Sequence, residues 1–195
     1  MKSVFFLALM ASVGLIASDR ERPAVSRQTL DAPRTIEGYP CDRGYAWFFD
    51  DGRLSSCKVS VETGFGELRV PKASMIHLTP AGKPLFVFLG RDSIVRGMTC
   101  RGGGHSYMTA MYPSGKLRVC WLAGDQEVAG VPCGGASFFT DVFGGGAGTV
   151  FHENGRLKTC RLSKDQTVQG RRFASGDHPV FDENGKLATD GRGLD

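Results

Sequence analysis

The chain has 195 residues and a formal net charge of +4, from 24 lysines and arginines against 20 acids. This charge is small and evenly spread, which argues against a nucleic-acid-binding surface. The length suits one domain with a sizeable core, and the 27 glycines and 13 phenylalanines are typical of turns and half-buried strands.

The N-terminus has the pattern of an export signal. Met1, Lys2 and Ser3 precede an uncharged run from Val4 to Ala17, which predicts a secretory signal peptide over residues 1–17. The run is shorter than the roughly 20 apolar residues of a membrane span, so a retained anchor is the alternative and no transmembrane segment is expected after signal removal. Residues 18–35 are rich in charge and proline and predict a flexible linker, which leaves residues 36–195 as the folded domain.

A hairpin motif recurs along this domain. Each copy has an apolar residue, a polar residue, glycine, a base and leucine, and the copies are Phe48–Leu54, Met111–Leu117, Phe151–Leu157 and Phe181–Leu187. A polar residue and glycine between apolar residues predict a β-hairpin with a type I′ turn, in which both central residues have positive φ.

A second motif, Leu-x-x-Asp-x-x-Val-x-Gly, recurs at Leu89–Gly97, Leu122–Gly130 and Leu162–Gly170. Its first copy reveals a degenerate hairpin centred near Gly82, which brings the number of units to five. Aspartate suits this place because its carboxylate can bond the backbone two residues on. The two motifs predict an all-β fold, an antiparallel meander of about five hairpin repeats, with an open sheet, a rolled sheet or propeller-like closure all possible.

The phrase Phe-x-x-Asn-Gly-Arg/Lys-Leu, at Phe151–Leu157 and Phe181–Leu187, resembles the hairpin repeats of MORN-like bacterial proteins. The resemblance covers only these turns, and the regularly spaced tyrosines and tryptophans of the full MORN pattern are absent. It implies an extended antiparallel sheet that serves as a scaffold or an interaction surface.

The six cysteines predict three disulfides in an exported chain, and no close C-x-x-C pair suggests a metal site. Three cysteines follow a glycine by three residues and three follow a turn glycine by five, and each unit holds both kinds or neither. This pattern favours the pairs Cys41–Cys57, Cys100–Cys120 and Cys133–Cys160.

The pairing has one difficulty. In a simple meander the two cysteines of a unit lie on strands separated by a third, too far apart for Cα atoms that must lie about 5.5–6 Å from each other. The first strand of the unit must therefore fold over the hairpin, or the strand order must differ. Pairing of Cys120 with Cys133 across the aspartate turn is the alternative.

Two segments are candidates for function. His105 lies beside Ser106 in a glycine-rich loop, so a hydrolase site using His105 with Asp141 is one hypothesis, although the chain has no G-x-S-x-G elbow. Phe138, Phe139 and Phe143 form an apolar insertion that predicts either an extra strand or a partner-binding patch.

The sequence favours an exported, non-catalytic binding or structural protein of the bacterial envelope or exterior, either periplasmic or secreted. Its repeat β-surface would face a protein or polysaccharide partner, and no nucleic acid, metal or cofactor is expected. A secreted hydrolase with a site near His105 is the alternative.

Overall fold

The computed structural model describes residues 25–136 and 148–188, and every regular element within them is a β-strand. No helix in these two stretches is long and apolar enough to cross a membrane. The strands, in chain order, are β1 Val25–Leu30, β2 Arg34–Ile36, β3 Tyr39–Phe49, β4 Leu54–Val59, β5 Thr63–Phe65, β6 Leu68–Val70, β7 Met75–Leu78, β8 Pro84–Phe88, β9 Ser93–Val95, β10 Met98–Cys100, β11 Met108–Met111, β12 Leu117–Cys120, β13 Gln126–Val128, β14 Val131–Cys133, β15 Thr149–Phe151, β16 Leu157–Thr159, β17 Gln166–Val168 and β18 Arg171–Phe173.

Ten of the strands form one open antiparallel sheet in the order β1-β3-β4-β7-β8-β11-β12-β15-β16, with β2 paired to β3. Beyond β16, bridges from Thr159 to Val180 and from Phe181 to Leu187 add a fifth hairpin. We call these five hairpins, with turn glycines at 52, 82, 115, 155 and 185, the sheet hairpins. The predicted meander of five hairpins is confirmed, and of the three closures considered the sheet adopts the open one.

The turns of the sheet hairpins differ from the prediction. In the first, the Gly52 N–H donates to the Phe49 carbonyl at 2.9 Å and the Phe49 N–H donates to the Arg53 carbonyl at 2.8 Å. Gly52 has a φ of +81°, whereas Asp51 before it is not left-handed. This is a type I turn followed by a glycine bulge, so the predicted type I′ turn is wrong here. The reason is loop length, because the paired residues Phe48 and Leu54 leave too many residues for a two-residue turn.

Type I′ turns occur in a second set of short hairpins, which we call the cover hairpins. They are β2 with the start of β3, β5/β6, β9/β10, β13/β14 and β17/β18, and the last four are separate two-stranded sheets. Four have positive φ at both turn residues, Glu37–Gly38, Arg96–Gly97, Ala129–Gly130 and Gln169–Gly170. The chain that follows each aspartate motif therefore does not continue the main sheet, because its tight turn folds it back on itself.

The cover hairpins pack against one face of the main sheet. Phe65, Val95 and Val128 of the cover hairpins belong to the same buried cluster as Leu54 and Leu117 of the sheet hairpins. The hydrophobic core therefore lies between two layers, an open sheet and a row of short hairpins, as the burial of one face of each element requires.

The three disulfides have the predicted pairing, with Cα–Cα distances of 5.7, 5.7 and 5.6 Å for Cys41–Cys57, Cys100–Cys120 and Cys133–Cys160. The second and third join the last strand of a cover hairpin to the main sheet, at Cys120 in β12 and at Cys160 directly after β16. The first joins neighbouring strands, because β3 is long enough to belong to both a cover and a sheet hairpin. The expected separation of the two cysteines by a third strand does not occur, because the strand with the first cysteine of a unit folds over the sheet hairpin.

The repeated aspartates close the base of the cover hairpins. Asp92 Oδ1 accepts the Gly102 N–H at 2.8 Å, and Asp125 and Asp165 accept the N–H groups of Gly135 and Ser175 at 2.9 Å. The partner lies ten residues downstream, so the predicted bond to the backbone two residues on is wrong. The hairpin returns the chain to its starting point, which brings this distant N–H within reach.

The predicted linker over residues 18–35 is wrong for residues 25–35. Val25–Leu30 pairs with β3 along its whole length, and Arg34–Ile36 pairs with the start of β3. β1 is exposed at every residue except Leu30, so it lacks the apolar alternation that reveals a strand in sequence. The predicted signal peptide and residues 189–195 lie outside the described residues.

Candidate functional site

The face of the main sheet opposite the cover hairpins, which we call the outer face, has one continuous row of side chains. The side chains of Ala46, Cys57 and Ile76 are buried in the core. Because successive side chains of a strand alternate between its two faces, the residues next to these three in the strands point to the outer face. Each residue of the row lies directly opposite the next across a strand pair, and the row is Arg27, Trp47, Ser56, His77, Phe86, Ala110, Val119, Val150, Thr159 and Val180. At about 4.8 Å per strand it extends for about 43 Å.

Aromatic rings dominate the first half of the outer face. The His77 and Phe86 rings stack with centroids 4.2 Å apart, and Phe88 contacts Phe86 edge-on at 5.6 Å. A second row pairs Met75 with Phe88 and Phe88 with Met108. A depression of about 360 Å³ lies here, bounded by Val25, Trp47, Ser55, Ser56, Met75, His77, Phe88 and His105. The outer face therefore offers flat, half-exposed rings beside a shallow recess.

His105 lies at this recess, with its ring 5.6 Å from the Phe88 ring. No carboxylate or hydroxyl of the described residues forms a hydrogen bond with His105. Asp141, which the hydrolase hypothesis needs, and the insertion with Phe138, Phe139 and Phe143 lie outside the described residues. The structure brings His105 into an aromatic cluster, and the hydrolase hypothesis stays a prediction.

Sequence reasoning missed most of the outer face. Trp47, His77 and Phe86 were not singled out, because each occupies an ordinary strand position. The available signal was the alternation of Phe86 and Phe88 around the buried Val87 in β8, which leaves two rings on one face.

Burial and, to a smaller extent, the nearby His105 lower the pKa of His77 to about 4. His77 is therefore neutral at neutral pH and fits among the rings. The unfolded chain would protonate it near the ordinary pKa of 6.5.

We expect acidification to destabilise the protein through His77. Its contribution is fully present above pH 6.5 and is lost as the pH falls towards 4, because only the unfolded chain binds the proton in that window. After allowance for the exposed part of the ring, the loss is about 1–2 kcal/mol. His77→Phe should remove this part of the pH dependence in urea unfolding at pH 7 and pH 4.5. An NMR titration midpoint near 6.5 for His77 would contradict the assignment.

A second recess, which we call the tip cavity, lies between three cover-hairpin tips and the last two sheet hairpins. It has a volume of about 650 Å³. The tips contribute Arg96, Ala129 and Gln169, and the sheet hairpins contribute Gly155 and Arg156. Its apolar lining is Met98, Val128, Val131, Phe151, Leu157, Val168 and Phe181. The tip cavity therefore combines an apolar wall with two guanidinium groups.

Within residues 25–136 and 148–188, no three His, Cys, Asp or Glu side chains are grouped to hold a metal ion. In the part of the chain that the structure describes, the outer face and the tip cavity each offer a recess for binding. No protein-family model, no curated protein and no solved structure matches this chain.

Proposed function

We propose that this is an exported, non-catalytic binding protein of the bacterial envelope or exterior, whose outer face engages a protein or polysaccharide. The observation that supports it is the cluster of partly exposed rings on the first half of the outer face, Trp47, His77, Phe86 and Phe88. Exposed apolar patches with polar residues at their rim often mark interaction sites. Flat rings such as Trp47 and Phe86 give a large contact area and lose little conformational freedom on binding.

Rigidity supports the same role. The three disulfides join strands or layers at fully buried cysteines, so the sheet behind the outer face is covalently held. Disulfides persist in oxidising compartments, which agrees with the export signal predicted over residues 1–17. A scaffold related to the MORN-like proteins is part of this proposal.

The proposal predicts that a partner contacts the outer face and not the cover hairpins. Met108 is 37% exposed on the outer face, and Ile94 is 76% exposed on cover hairpin β9/β10. A photo-crosslinking amino acid at position 108 should capture a reproducible partner from intact cells, and the same residue at position 94 should not. Equal capture from both positions, or none from either, would count against the outer face.

Truncation of the rings tests the same surface by affinity. Trp47→Ala combined with Phe86→Ala should weaken retention on the captured protein or on cell-wall polysaccharide by at least about tenfold, since buried aromatic anchors dominate binding energy. Ile94→Ala is the matched control and should leave retention unchanged. Separate protein and polysaccharide fractions decide which partner class is correct.

A further inference from the structure

A backbone N–H in the sheet hairpins is capped by a side chain from a cover-hairpin tip. In three sheet hairpins, a leucine follows the turn glycine and a basic residue. Its N–H points away from the paired strand and donates to a side chain at a cover-hairpin tip. The pairs are Leu54 with Glu37 Oε1 at 3.1 Å, Leu117 with Glu67 Oε1 at 2.8 Å, and Leu187 with Gln169 Oε1 at 3.0 Å. An oxygen acceptor at this place is thus a repeated feature of the fold.

The fourth sheet hairpin lacks its acceptor. Its leucine, Leu157, is only 5% exposed, and no side chain in the described residues accepts its N–H. Glu37 and Gln169 are each the first turn residue of the cover hairpin that precedes their sheet hairpin in the chain. The equivalent residue before the fourth sheet hairpin is Ala129, whose methyl group cannot accept a hydrogen bond. The second sheet hairpin does not have this problem, because Pro84 takes the leucine's place and has no N–H.

Positive charge surrounds the vacant acceptor position. The Arg96 guanidinium lies over Gly155, since a Cβ added at Gly155 would meet Arg96 Nη2 at 2.3 Å. Arg156 lies next to Leu157, and its Nη1 donates to the Asn184 carbonyl. Glu127 is the acidic side chain of the lining, and the Glu67 carboxylate lies beside Arg96 at 3.9 Å, whereas Arg156 has no such carboxylate partner among the described residues.

The third sheet hairpin shows which group completes this arrangement. There Glu67 Oε1 accepts the Leu117 N–H at 2.8 Å and lies 3.9 Å from Arg96 Nη1. A carboxylate oxygen thus satisfies a backbone N–H and a guanidinium together. In the fourth hairpin the same Arg96 guanidinium lies over Gly155, but no carboxylate of the described residues accepts the Leu157 N–H.

We propose that the tip cavity binds a ligand carboxylate. One oxygen accepts the Leu157 N–H, Arg96 and Arg156 balance the charge, and an apolar substituent packs on Met98 and Val128. The volume of about 650 Å³ is that of a small-molecule site. The carboxylate belongs either to a small free acid or to the C-terminus of a peptide. This site is separate from the outer face and is tested independently of the partner proposed above.

Titration of the ¹⁵N-labelled protein with hexanoate and with an N-acetylated dipeptide acid tests the site. The Leu157 amide signal should move downfield and saturate with a carboxylate, and hexanamide and the dipeptide amide should leave it in place. The Leu54 amide, already capped by Glu37, is the internal control. The two acids decide between a free acid and a peptide terminus. No movement, equal movement with the amides, or equal binding of inorganic phosphate would overturn the proposal.

Ala129→Glu supplies the missing carboxylate from the chain itself. We expect the Leu157 amide to move downfield without ligand, hexanoate affinity to fall at least tenfold, and the melting temperature to rise by about 2–4 °C. Ala129→Leu fills similar space without an acceptor and should produce neither the amide shift nor the stabilisation. Unchanged hexanoate affinity in Ala129→Glu would overturn the proposal.

Arg156→Gln gives a second measurement if the Ala129 variants fail to fold. It should weaken hexanoate binding at least fivefold, because a neutral amide replaces a guanidinium beside the anion. Unaltered binding would contradict the assigned charge. Crosslinking from position 108 should be the same in this variant, so failure here leaves the outer-face proposal standing.

Discussion

Replacement of Cys133 and Cys160 by alanine should lower the free energy of unfolding by about 3.5 kcal/mol, measured by guanidinium unfolding. The bond closes a loop with a sequence separation of 27 residues, the longest of the three. Its removal restores conformational freedom mainly to the unfolded chain. Both cysteines are almost fully buried, so the vacated space adds to the loss.

The same variant should also loosen one cover hairpin locally. Cys133 ties β13/β14 to the sheet, so the amides of Val128 and Val131 should exchange with solvent much faster than in the native protein. The matched control is Cys41→Ala with Cys57→Ala, which removes a bond between adjacent strands and should cost about 3 kcal/mol. Faster exchange of Val128 in both variants to the same extent would contradict a local role.

Gly66→Ala should destabilise the protein by about 3–4 kcal/mol, from a left-handed backbone and two broken hydrogen bonds. Gly66 has a φ of +61°, and an added Cβ would lie 2.3 Å from the Gly115 carbonyl oxygen. The neighbouring Glu67 N–H donates to that same oxygen at 2.9 Å, and its carboxylate accepts the Leu117 N–H. The tip of β5/β6 would have to move off the third sheet hairpin.

Gly97→Ala separates backbone strain from this contact. Gly97 has a φ of +80° with nothing within 4 Å of an added Cβ, so the substitution should cost only about 1–2 kcal/mol. Urea unfolding of both variants gives the comparison. Equal losses would mean that the approach of Gly66 to Gly115 adds nothing to stability.

These two experiments probe one structural problem, the attachment of short hairpins to a sheet. Disulfides act at the cover-hairpin strands, aspartates such as Asp92 act at the base, and acceptors such as Glu67 act at the tip. An isolated two-stranded hairpin has little stability in water, so each cover hairpin needs such ties. The tip cavity lies where one of these ties, at Ala129, is missing.

The repeats predict the number of sheet hairpins and favour the disulfide pairing that the structure has. Both depend on local patterns that recur in the same register, since each cysteine follows a turn glycine at a constant distance, although the separation within a pair varies from 16 to 27 residues. Cys133 and Cys160 occur in the same unit, and the last unit lacks both equivalents. This pattern favoured a disulfide between two cysteines that lie 27 residues apart.

The arrangement of the two layers could not be predicted from the sequence, because it depends on contacts between distant segments. Asp92 and Gly102 are brought together by the return of a hairpin, and the row from Trp47 to Val150 is set by strand register. The same limit applies to Ala129 and Leu157, whose relation appears only when a tip lies over a distant turn. Repeats encode local turns, whereas a surface or a cavity depends on which turns meet in space.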